Sequence, residues 1–172
     1  RLAEVVLQVP PEVFDLEPLQ RQPLPGIHQR TRAFIKAQDG CDNFCTFCIT
    51  RLARGRGHSQ PVEKILADIH FARKGGAQEA VLSGVHLGSW GNDLEPKKHL
   101  KDLIEQILTE SDIPRLRLSS LEPWDISPDF FELWSNPRLC RHLHLPLQSG
   151  SARILKRMAR KTNPEAYAAS LE

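Results

Sequence analysis

The sequence predicts an α/β protein in which short strands and helices alternate around a parallel sheet. Short, β-prone apolar segments are each followed by a longer segment with apolar residues at helical spacing, and this pair recurs four times after residue 30. Glycine, proline or serine stands at most of the boundaries. Four such units fit part of a (β/α) barrel or a doubly wound sheet, and periodicity alone leaves that choice open.

The predicted elements can be placed in order along the chain. Strands are expected at 33–37, 79–84, 115–120 and 142–147. Helices are expected at 61–76, 99–110, 127–135 and 151–160. Pro61 suits the first turn of the first helix, and Gly75 and Gly76 end it. Ser127 is predicted to cap the third helix, with Pro128 at its first position.

Residues 1–30 predict a linker, and residues 31–172 predict one core domain. The first 30 residues hold five prolines and show neither helical nor strand periodicity. The net charge of +2 does not by itself indicate a nucleic-acid binder. No run of 18 apolar residues predicts a membrane helix, and no secretory signal is visible, so we expect a cytoplasmic protein.

Three of the four cysteines lie within the segment "GCDNFCTFCI" and predict a metal site. Thiolates are soft ligands that favour zinc, copper(I) or iron–sulfur clusters. A structural zinc ion needs four ligands, and His58 could serve beside Cys41, Cys45 and Cys48. On a cubane cluster, three cysteines leave one iron open to a substrate or cofactor. Cys140 precedes the fourth strand and is expected at the opposite end of the sheet.

Polar residues also follow the other three predicted strands. Ser83 and Gly84 end the second strand, Glu122 follows the third, and Gln148 follows the fourth. In parallel α/β folds the chemistry lies at the carboxyl ends of the strands. These residues are therefore expected to meet the cysteine segment at one edge of the sheet.

The spacing Cys-x-x-x-Cys-x-x-Cys after a first strand, with Phe47 before the last cysteine, resembles the radical S-adenosylmethionine (AdoMet) superfamily. That resemblance implies a partial or full TIM-like (β/α) barrel and a 4Fe–4S cluster on Cys41, Cys45 and Cys48. It also implies that AdoMet chelates the open iron and is cleaved by one electron to methionine and a 5′-deoxyadenosyl radical, which abstracts hydrogen.

The resemblance further implies which residues hold AdoMet. Phe47 lies in the motif itself, and "LSGVHLG" takes the place of the glycine-rich motif, so backbone around Ser83 and Gly84 meets the AdoMet amino group. Glu122 is a candidate for the ribose or the amino group. Gln148 is implied to contact the ribose and Arg160 the carboxylate, for which a guanidinium is a bidentate partner.

Longer segments resemble the radical AdoMet methylthiotransferases. They are "GCDNFCTFCITRLARG", "VLSGVHLGSWGNDL", "RLRLSSLEPWDI" and "HLHLPLQSGSARILKRMARK", within about 32–161. The family implies insertion of a methylthio group at C2 of a hypermodified adenosine beside the tRNA anticodon. "GVHLGSWGNDL" and "SSLEPWDI" look most like the N6-threonylcarbamoyladenosine branch, with the isopentenyladenosine branch as the nearest alternative. Another branch modifies an aspartate of a ribosomal protein.

The same resemblance implies further domains and partners. Relatives carry an N-terminal domain with three more cysteines for a second cluster, and a small C-terminal RNA-binding domain. Because the chain begins at Arg1 and has four cysteines, we expect a central part that does not complete methylthiolation alone. A flavodoxin or ferredoxin is the implied electron donor, and we expect a monomer.

Substrate contacts are predicted beside the cysteines. Arg51, Arg54 and Arg56 are candidates for phosphates of the anticodon loop, although Arg51 stands where the family usually has proline. Trp90 could stack a base or belong to the core. Two alternatives remain: a radical AdoMet enzyme that modifies protein or performs a rearrangement, and a non-enzymatic zinc-binding RNA module with His58 as the fourth ligand.

Overall fold

A computed structural model describes residues 31–170 and places a three-stranded parallel sheet at their centre. The strands are β1 (Arg32–Lys36), β4 (Glu79–Ser83) and β5 (Arg115–Leu118), in the order β1-β4-β5. Two short strands, β2 (Gln38–Asp39) and β3 (His58–Ser59), form a separate antiparallel pair. The predicted linker at 1–30 lies outside the described residues.

Five α-helices lie between and after the strands in the described part of the chain. They are α1 (Thr50–Arg54), α2 (Val62–Lys74), α3 (Leu100–Glu110), α4 (Ala152–Arg157) and α5 (Pro164–Ala169). Short 3₁₀ helices occupy Leu87–Ser89, Pro123–Asp125 and Pro128–Ser135. The alternation β1, α2, β4, α3, β5 confirms the predicted α/β fold with a parallel sheet.

Burial of the apolar helix faces against the sheet forms the core. Helix α2 buries Val62, Ile65, Leu66 and Ile69, and helix α3 buries Leu100, Leu103, Ile104, Ile107 and Leu108. These side chains pack with buried residues of the strands in one cluster. Removal of this apolar surface from water is the main source of stability.

The fourth predicted strand, at 142–147, is the clearest difference from the sequence prediction. Leu139 forms a parallel bridge with Leu116 of β5, and the N–H of Leu121 donates to the carbonyl of His144. Between these points the N–H of His142 donates to the carbonyl of Cys140, so this N–H is not available to pair with a neighbouring strand. The segment therefore follows β5 without forming a regular strand.

Two predicted helices also differ from their expected form. Residues Pro128–Ser135 form a 3₁₀ helix, and its buried residues Phe130 and Leu133 are spaced three apart, which matches the three-residue repeat. Helix α4 ends at Arg157 because Ala159 adopts a left-handed conformation with φ of 55°. The N–H of Arg160 then bonds to the carbonyl of Leu155, which completes a Schellman motif.

Alignment of the strand ends fixes where functional residues can meet. Lys36 of β1 pairs with Ser83 of β4, and Leu82 pairs with Leu118 of β5, so the three strands finish side by side. Cys140 bonds through its N–H to the carbonyl of Leu116, and its thiol lies 3.8 Å from Nη2 of Arg115 at the start of β5. It therefore lies at the amino edge of the sheet, as predicted.

Candidate active site

The cysteine loop, residues 40–49, leaves the carboxyl edge of the sheet between β2 and α1. The pairing of β2 with β3 closes its base, where the N–H of Cys41 donates to the carbonyl of Gly55 at 3.1 Å. Gly40 has a φ of +68°, and a Cβ there would lie 1.9 Å from the carbonyl oxygen of Arg56. Glycine is therefore required where the loop begins.

All three predicted ligand cysteines lie in this loop as free thiols. Cys41 and Cys45 are half-buried and Cys48 is exposed. Burial raises the pKa of Cys41, and the charges of Cys45 and Cys48 add to the increase. Hydrogen bonds from the hydroxyl and N–H of Thr50 lower the pKa of Cys48. Cys48 is thus the more readily ionised of these two thiols.

Arg160 joins the cysteine loop to the loop after β5. Its Nη1 lies 2.9 Å from Oε1 of Glu122 and 3.8 Å from Sγ of Cys45, while Nη2 contacts the second carboxylate oxygen of Glu122. Nη2 also donates to the carbonyl of Pro146 at 2.9 Å. Burial lowers the pKa of Arg160, but the pairing with Glu122 and Cys45 outweighs it, and the guanidinium remains charged.

Several buried polar atoms of Arg160 and of the segment after β5 suit a polar ligand. The Arg160 guanidinium stacks over the Trp124 ring at 4.6 Å. Within residues 31–170, Nε of Arg160, Nε1 of Trp124 and Oγ of Ser119 are buried and lack a hydrogen-bond partner. A buried donor without a partner costs free energy, which a bound ligand can recover.

The donor set fits an iron–sulfur cluster with an organic cofactor beside it. Three soft thiols on one loop match three irons of a cubane, and the orphaned donors match a carboxylate or ribose. No set of three His, Cys, Asp or Glu side chains in the described residues converges on a single metal ion. His58, considered as a fourth zinc ligand, is exposed and lies 3.3 Å from Oδ2 of Asp93 through Nδ1.

A buried His86–Asp125 pair was not identified from the sequence. Nε2 of His86 lies 3.0 Å from Oδ2 of Asp125, and Nδ1 lies 3.4 Å from the side-chain nitrogen of Asn43 in the cysteine loop. Because a carboxylate only accepts, Nε2 of His86 donates to Asp125, and Nδ1 faces the side-chain amide of Asn43. Asp125 also accepts from the N–H of Glu122 at 3.1 Å. The loops after β1, β4 and β5 are thus connected.

Gln38 is a second residue that sequence reasoning missed. Its side chain is buried, donates to the carbonyl of Gly40 at 2.9 Å and accepts from the N–H of His86 at 2.8 Å. It therefore fixes the base of the cysteine loop to the loop after β4. The sequence carried one signal for Gln38, His86 and Asp125, which is that polar residues follow the ends of three neighbouring strands.

The remaining predicted cofactor residues lie around the same edge. Oγ of Ser83 donates to the carbonyl of Ile35 at 3.2 Å, and a Cβ at Gly84 would approach Gln38 and Leu87 to 3.1 Å. Phe47 is exposed in the cysteine loop. Gln148 is exposed and has a φ of 74°, which is uncommon for a residue with a side chain.

The arginines predicted to bind phosphate are all paired with acidic residues. Arg51 lies 3.4 Å from Asp42 and stacks over Phe44 at 4.0 Å. Arg54 pairs with Asp39 at 3.0 Å, and Arg56 pairs with Asp42 at 3.5 Å. Phosphate contact through these arginines would compete with their present ion pairs.

Trp90 belongs to the core, which is the alternative to base stacking that the sequence left open. The residue is 1% exposed, and its indole N–H donates to the carbonyl of Gln60 at 3.0 Å. Its ring is therefore covered on the surface where a base would stack.

The fold and the position of the cysteines define a radical AdoMet domain. A family model described as the Radical SAM superfamily matches residues 35–172, and the chain belongs to that superfamily. SAM is another abbreviation for AdoMet.

Similar curated proteins include tRNA-modifying enzymes of two kinds. The chain is 41% identical over 138 residues to the tRNA-2-methylthio-N(6)-dimethylallyladenosine synthase of Clostridium tetani, covering 80% of this chain and 30% of that protein. It is 44% identical over 133 residues to the threonylcarbamoyladenosine tRNA methylthiotransferase MtaB of Chlamydia pneumoniae, covering 77% and 31%. The chain thus spans about a third of the length of these relatives.

Solved structures share the fold at low sequence identity. The radical S-adenosylmethionine methyltransferase TsrM from Kitasatospora setae, with tryptophan and a SAM analog bound, superposes with a TM-score of 0.64 at 16% identity over 83% of this chain and 28% of that chain. The cobalamin-dependent radical enzyme OxsB, with aqua-cobalamin and S-adenosylmethionine bound, superposes with a TM-score of 0.61 at 19% identity. That match covers 80% of this chain and 21% of the OxsB chain.

Among residues 31–170, no helix has the length and apolar character needed to cross a membrane.

Proposed function

We propose that this chain is the radical AdoMet core of a methylthiotransferase that modifies C2 of N6-threonylcarbamoyladenosine beside the tRNA anticodon. The observation that carries the proposal is the cysteine loop at the carboxyl edge of the sheet, with the buried Arg160–Glu122 pair against Cys45. Relatives of both kinds carry out tRNA methylthiolation according to their names, and they match most of the chain.

In this proposal Cys41, Cys45 and Cys48 hold a 4Fe–4S cluster. When bound, the cluster and AdoMet supply a one-electron cleavage that yields a radical able to abstract hydrogen from an unactivated C–H bond. Cys48 is prepared as a ligand because Thr50 lowers its thiol pKa. Arg160 places a fixed positive charge next to Cys45, which stabilises a negatively charged cluster.

AdoMet is proposed to lie between the cysteine loop and the loop after β5. The unpartnered Nε of Arg160 is available for the AdoMet carboxylate even while both Nη atoms bind Glu122. Gln148 remains our candidate for the ribose, Glu122 for the ribose or the amino group, and the backbone at Ser83 and Gly84 for the amino group. Phe47 is proposed to pack against the cofactor from the cysteine loop.

The substrate branch and the wider assembly are proposals as well. Modification of isopentenyladenosine in tRNA is the nearest alternative, because relatives of both kinds match at similar identity. Modification of a ribosomal-protein aspartate is a more distant one.

We propose that the enzyme is cytoplasmic and monomeric and that it receives electrons from a flavodoxin or ferredoxin. We also propose that the full-length protein contains the second cluster and the RNA-binding domain that its relatives carry.

Anaerobic iron–sulfur reconstitution followed by EPR of the reduced protein tests the cofactor proposal. We expect a reduced 4Fe–4S signal that shifts when AdoMet is added and is lost in Cys45→Ala. Cys140→Ala is the matched control, because its thiol lies at the other edge of the sheet and should leave the signal unchanged. Bound zinc without a paramagnetic cluster, in folded protein, would instead support the zinc-binding module.

Analysis of tRNA nucleosides tests the substrate. Deletion of the gene should remove the methylthio group from N6-threonylcarbamoyladenosine while leaving methylthiolated isopentenyladenosine in place. The opposite pattern would assign the chain to the isopentenyladenosine branch. Unchanged tRNA, with loss of methylthiolation on a ribosomal-protein aspartate, would reject the tRNA proposal.

A further inference from the structure

The carboxyl-terminal part of the described chain carries positive charge without acidic residues. Between Glu132 and Glu165 there is no Asp or Glu, although the whole chain has 23 Lys and Arg against 21 Asp and Glu. The same interval contains seven cations: Arg138, Arg141, Arg153, Lys156, Arg157, Arg160 and Lys161. The almost neutral net charge thus conceals a basic interval of the sequence. Arg160 is paired with Glu122 and Arg138 donates to backbone carbonyls, so the exposed cations are the ones that can bind a polyanion.

Helix α4 presents three of these cations on one face. Arg153, Lys156 and Arg157 are spaced i, i+3 and i+4, so they lie together on the helix surface, and all three are exposed. Leu155 is fully buried and anchors the helix to the protein. We define the basic surface as Arg153, Lys156, Arg157 and the exposed Lys161 that follows the helix.

These four cations have no acidic partner in the part of the chain that the structure describes. Each salt bridge of residues 31–170 involves other groups. The arginines beside the cysteines differ in this respect, because Arg51 and Arg54 are already paired with aspartates. The basic surface can therefore bind an anion without breaking an existing ion pair.

The basic surface adjoins the cysteine loop. The N–H of Thr46 donates to the carbonyl of Met158 at 3.2 Å, and its hydroxyl donates to the carbonyl of Arg157 at 3.0 Å. Phe44 lies two residues before Thr46 and is 71% exposed, with Arg51 stacked over one face of its ring at 4.0 Å, so the other face is the one open to a base. An exposed aromatic ring beside a row of cations is typical of sites for single-stranded nucleic acid, where bases stack and phosphates pair with cations.

We propose that the basic surface binds phosphates of the RNA substrate, on the strand that carries the nucleotide to be modified to the cysteine loop. This inference rests on the proposed function, since it assumes an RNA substrate. The neighbouring exposed Phe44 favours RNA over an acidic protein, because a purely acidic partner would gain little from an exposed aromatic ring at the edge of the cationic surface. Contacts from α4 would thus hold the strand while the cysteine loop receives the nucleotide.

Binding of a 17-nucleotide anticodon stem-loop RNA, followed by fluorescence anisotropy over a series of salt concentrations, tests this surface. The variant Arg153→Gln/Lys156→Gln/Arg157→Gln is compared with Lys64→Gln/Lys74→Gln/Lys97→Gln, which removes the same charge from exposed positions elsewhere. We expect the α4 variant to bind more weakly. The slope of log K against log salt should fall in magnitude by about 2, or about 0.7 for each lost single-strand contact. The control variant should retain the wild-type slope.

Iron content and AdoMet cleavage are measured on the same preparations, so that a folding defect in either variant is detected. Equal RNA affinity and slope in the two triple variants would overturn the proposed surface while leaving the RNA substrate intact. Absence of RNA binding by the full-length wild-type protein, with AdoMet cleavage preserved, would reject both the surface and the tRNA part of the proposed function. Binding of poly-glutamate in place of RNA would assign the surface to an acidic protein partner.

Discussion

The guanidinium of Arg160 and the carboxylate of Glu122 form a two-point ion pair directly beside the thiol of Cys45. The side chain of Arg160 is 1% exposed, so its charge has little solvent to stabilise it. Removal of one partner from such a pair leaves an uncompensated buried charge, which is strongly destabilising. Stability and the proposed cofactor site are therefore linked through these two residues.

A double-mutant cycle should show this dependence in the free energy of unfolding. We expect Glu122→Gln and Arg160→Met each to lower the free energy of unfolding. The double variant should lose less free energy of unfolding than the sum of the two single losses. The expected coupling energy is about 1–3 kcal/mol, measured by urea unfolding without cofactors. Arg157→Met, on the exposed face of α4, serves as control and should change stability by less than about 0.5 kcal/mol. Additive effects of the two central substitutions would contradict the pairing.

The His86–Asp125 pair depends on the absence of a side chain at Gly88. A Cβ at that position would lie 2.0 Å from Oδ2 and 2.5 Å from Cβ of Asp125. We expect Gly88→Ala to displace Asp125 and to destabilise the protein by about 1–3 kcal/mol in thermal unfolding. Asp125→Gly removes the clashing atoms, so adding Gly88→Ala to that variant should cost much less. An equal cost in both backgrounds would disprove the steric explanation.

The ion pairs of Glu79 should make the free energy of unfolding depend on pH. It lies in the central strand and pairs with Arg32 of β1 and with Arg115 and Arg117 of β5. Burial raises the pKa of Glu79, but these arginines outweigh it and hold the pKa below its ordinary value of 4.5. Because the folded pKa is depressed, the stabilisation is complete above the ordinary value and is lost as pH falls through the folded pKa.

Glu79→Gln should therefore be less stable than wild type at neutral pH by roughly 1–3 kcal/mol. The difference should shrink as pH falls below about 4.5, because the carboxylate of the unfolded chain then takes up a proton, and it should be lost once pH passes below the depressed pKa of the folded state. Chemical denaturation at a series of pH values gives the free energy of unfolding of both proteins. Glu63→Gln, at an exposed position of α2, is the control. A gap that does not change with pH would mean that the arginines do not act through the ionised carboxylate.

Gly40 and Gly55 allow conformational strain to be separated from steric overlap. Both have positive φ, but a Cβ at Gly55 meets nothing within 4 Å, whereas one at Gly40 meets the carbonyl oxygen of Arg56 at 1.9 Å. Gly55→Ala should cost about 1–3 kcal/mol from strain alone, because a φ of 78° with a ψ of −159° is a conformation essentially confined to glycine. Gly40→Ala should cost more and should also lower the iron bound after reconstitution. Equal losses of stability and iron in the two variants would contradict a specific role for Gly40.

Local patterns were sufficient to predict most of the helices and strands. The apolar spacing in α2 and α3 and the β-prone segments of β1, β4 and β5 depend on near neighbours, and their positions agree within a few residues. The prediction failed for residues 142–147, which follow β5 as an irregular segment. A backbone hydrogen bond from His142 to Cys140 removes an N–H from the ladder there, and no residue pattern signals that bond.

The sequence by itself determined the order of the elements and the placement of three cysteines in one loop, because both depend on residues close together in the chain. Only the tertiary structure decided that Arg160 meets Glu122 and Cys45, that His86 meets Asp125, and that Trp90 is buried. Arg160 faces the site because the left-handed turn at Ala159 reverses the chain after α4. Contacts of this kind join residues about 40 or more positions apart, and packing of separate loops at one sheet edge brings them together.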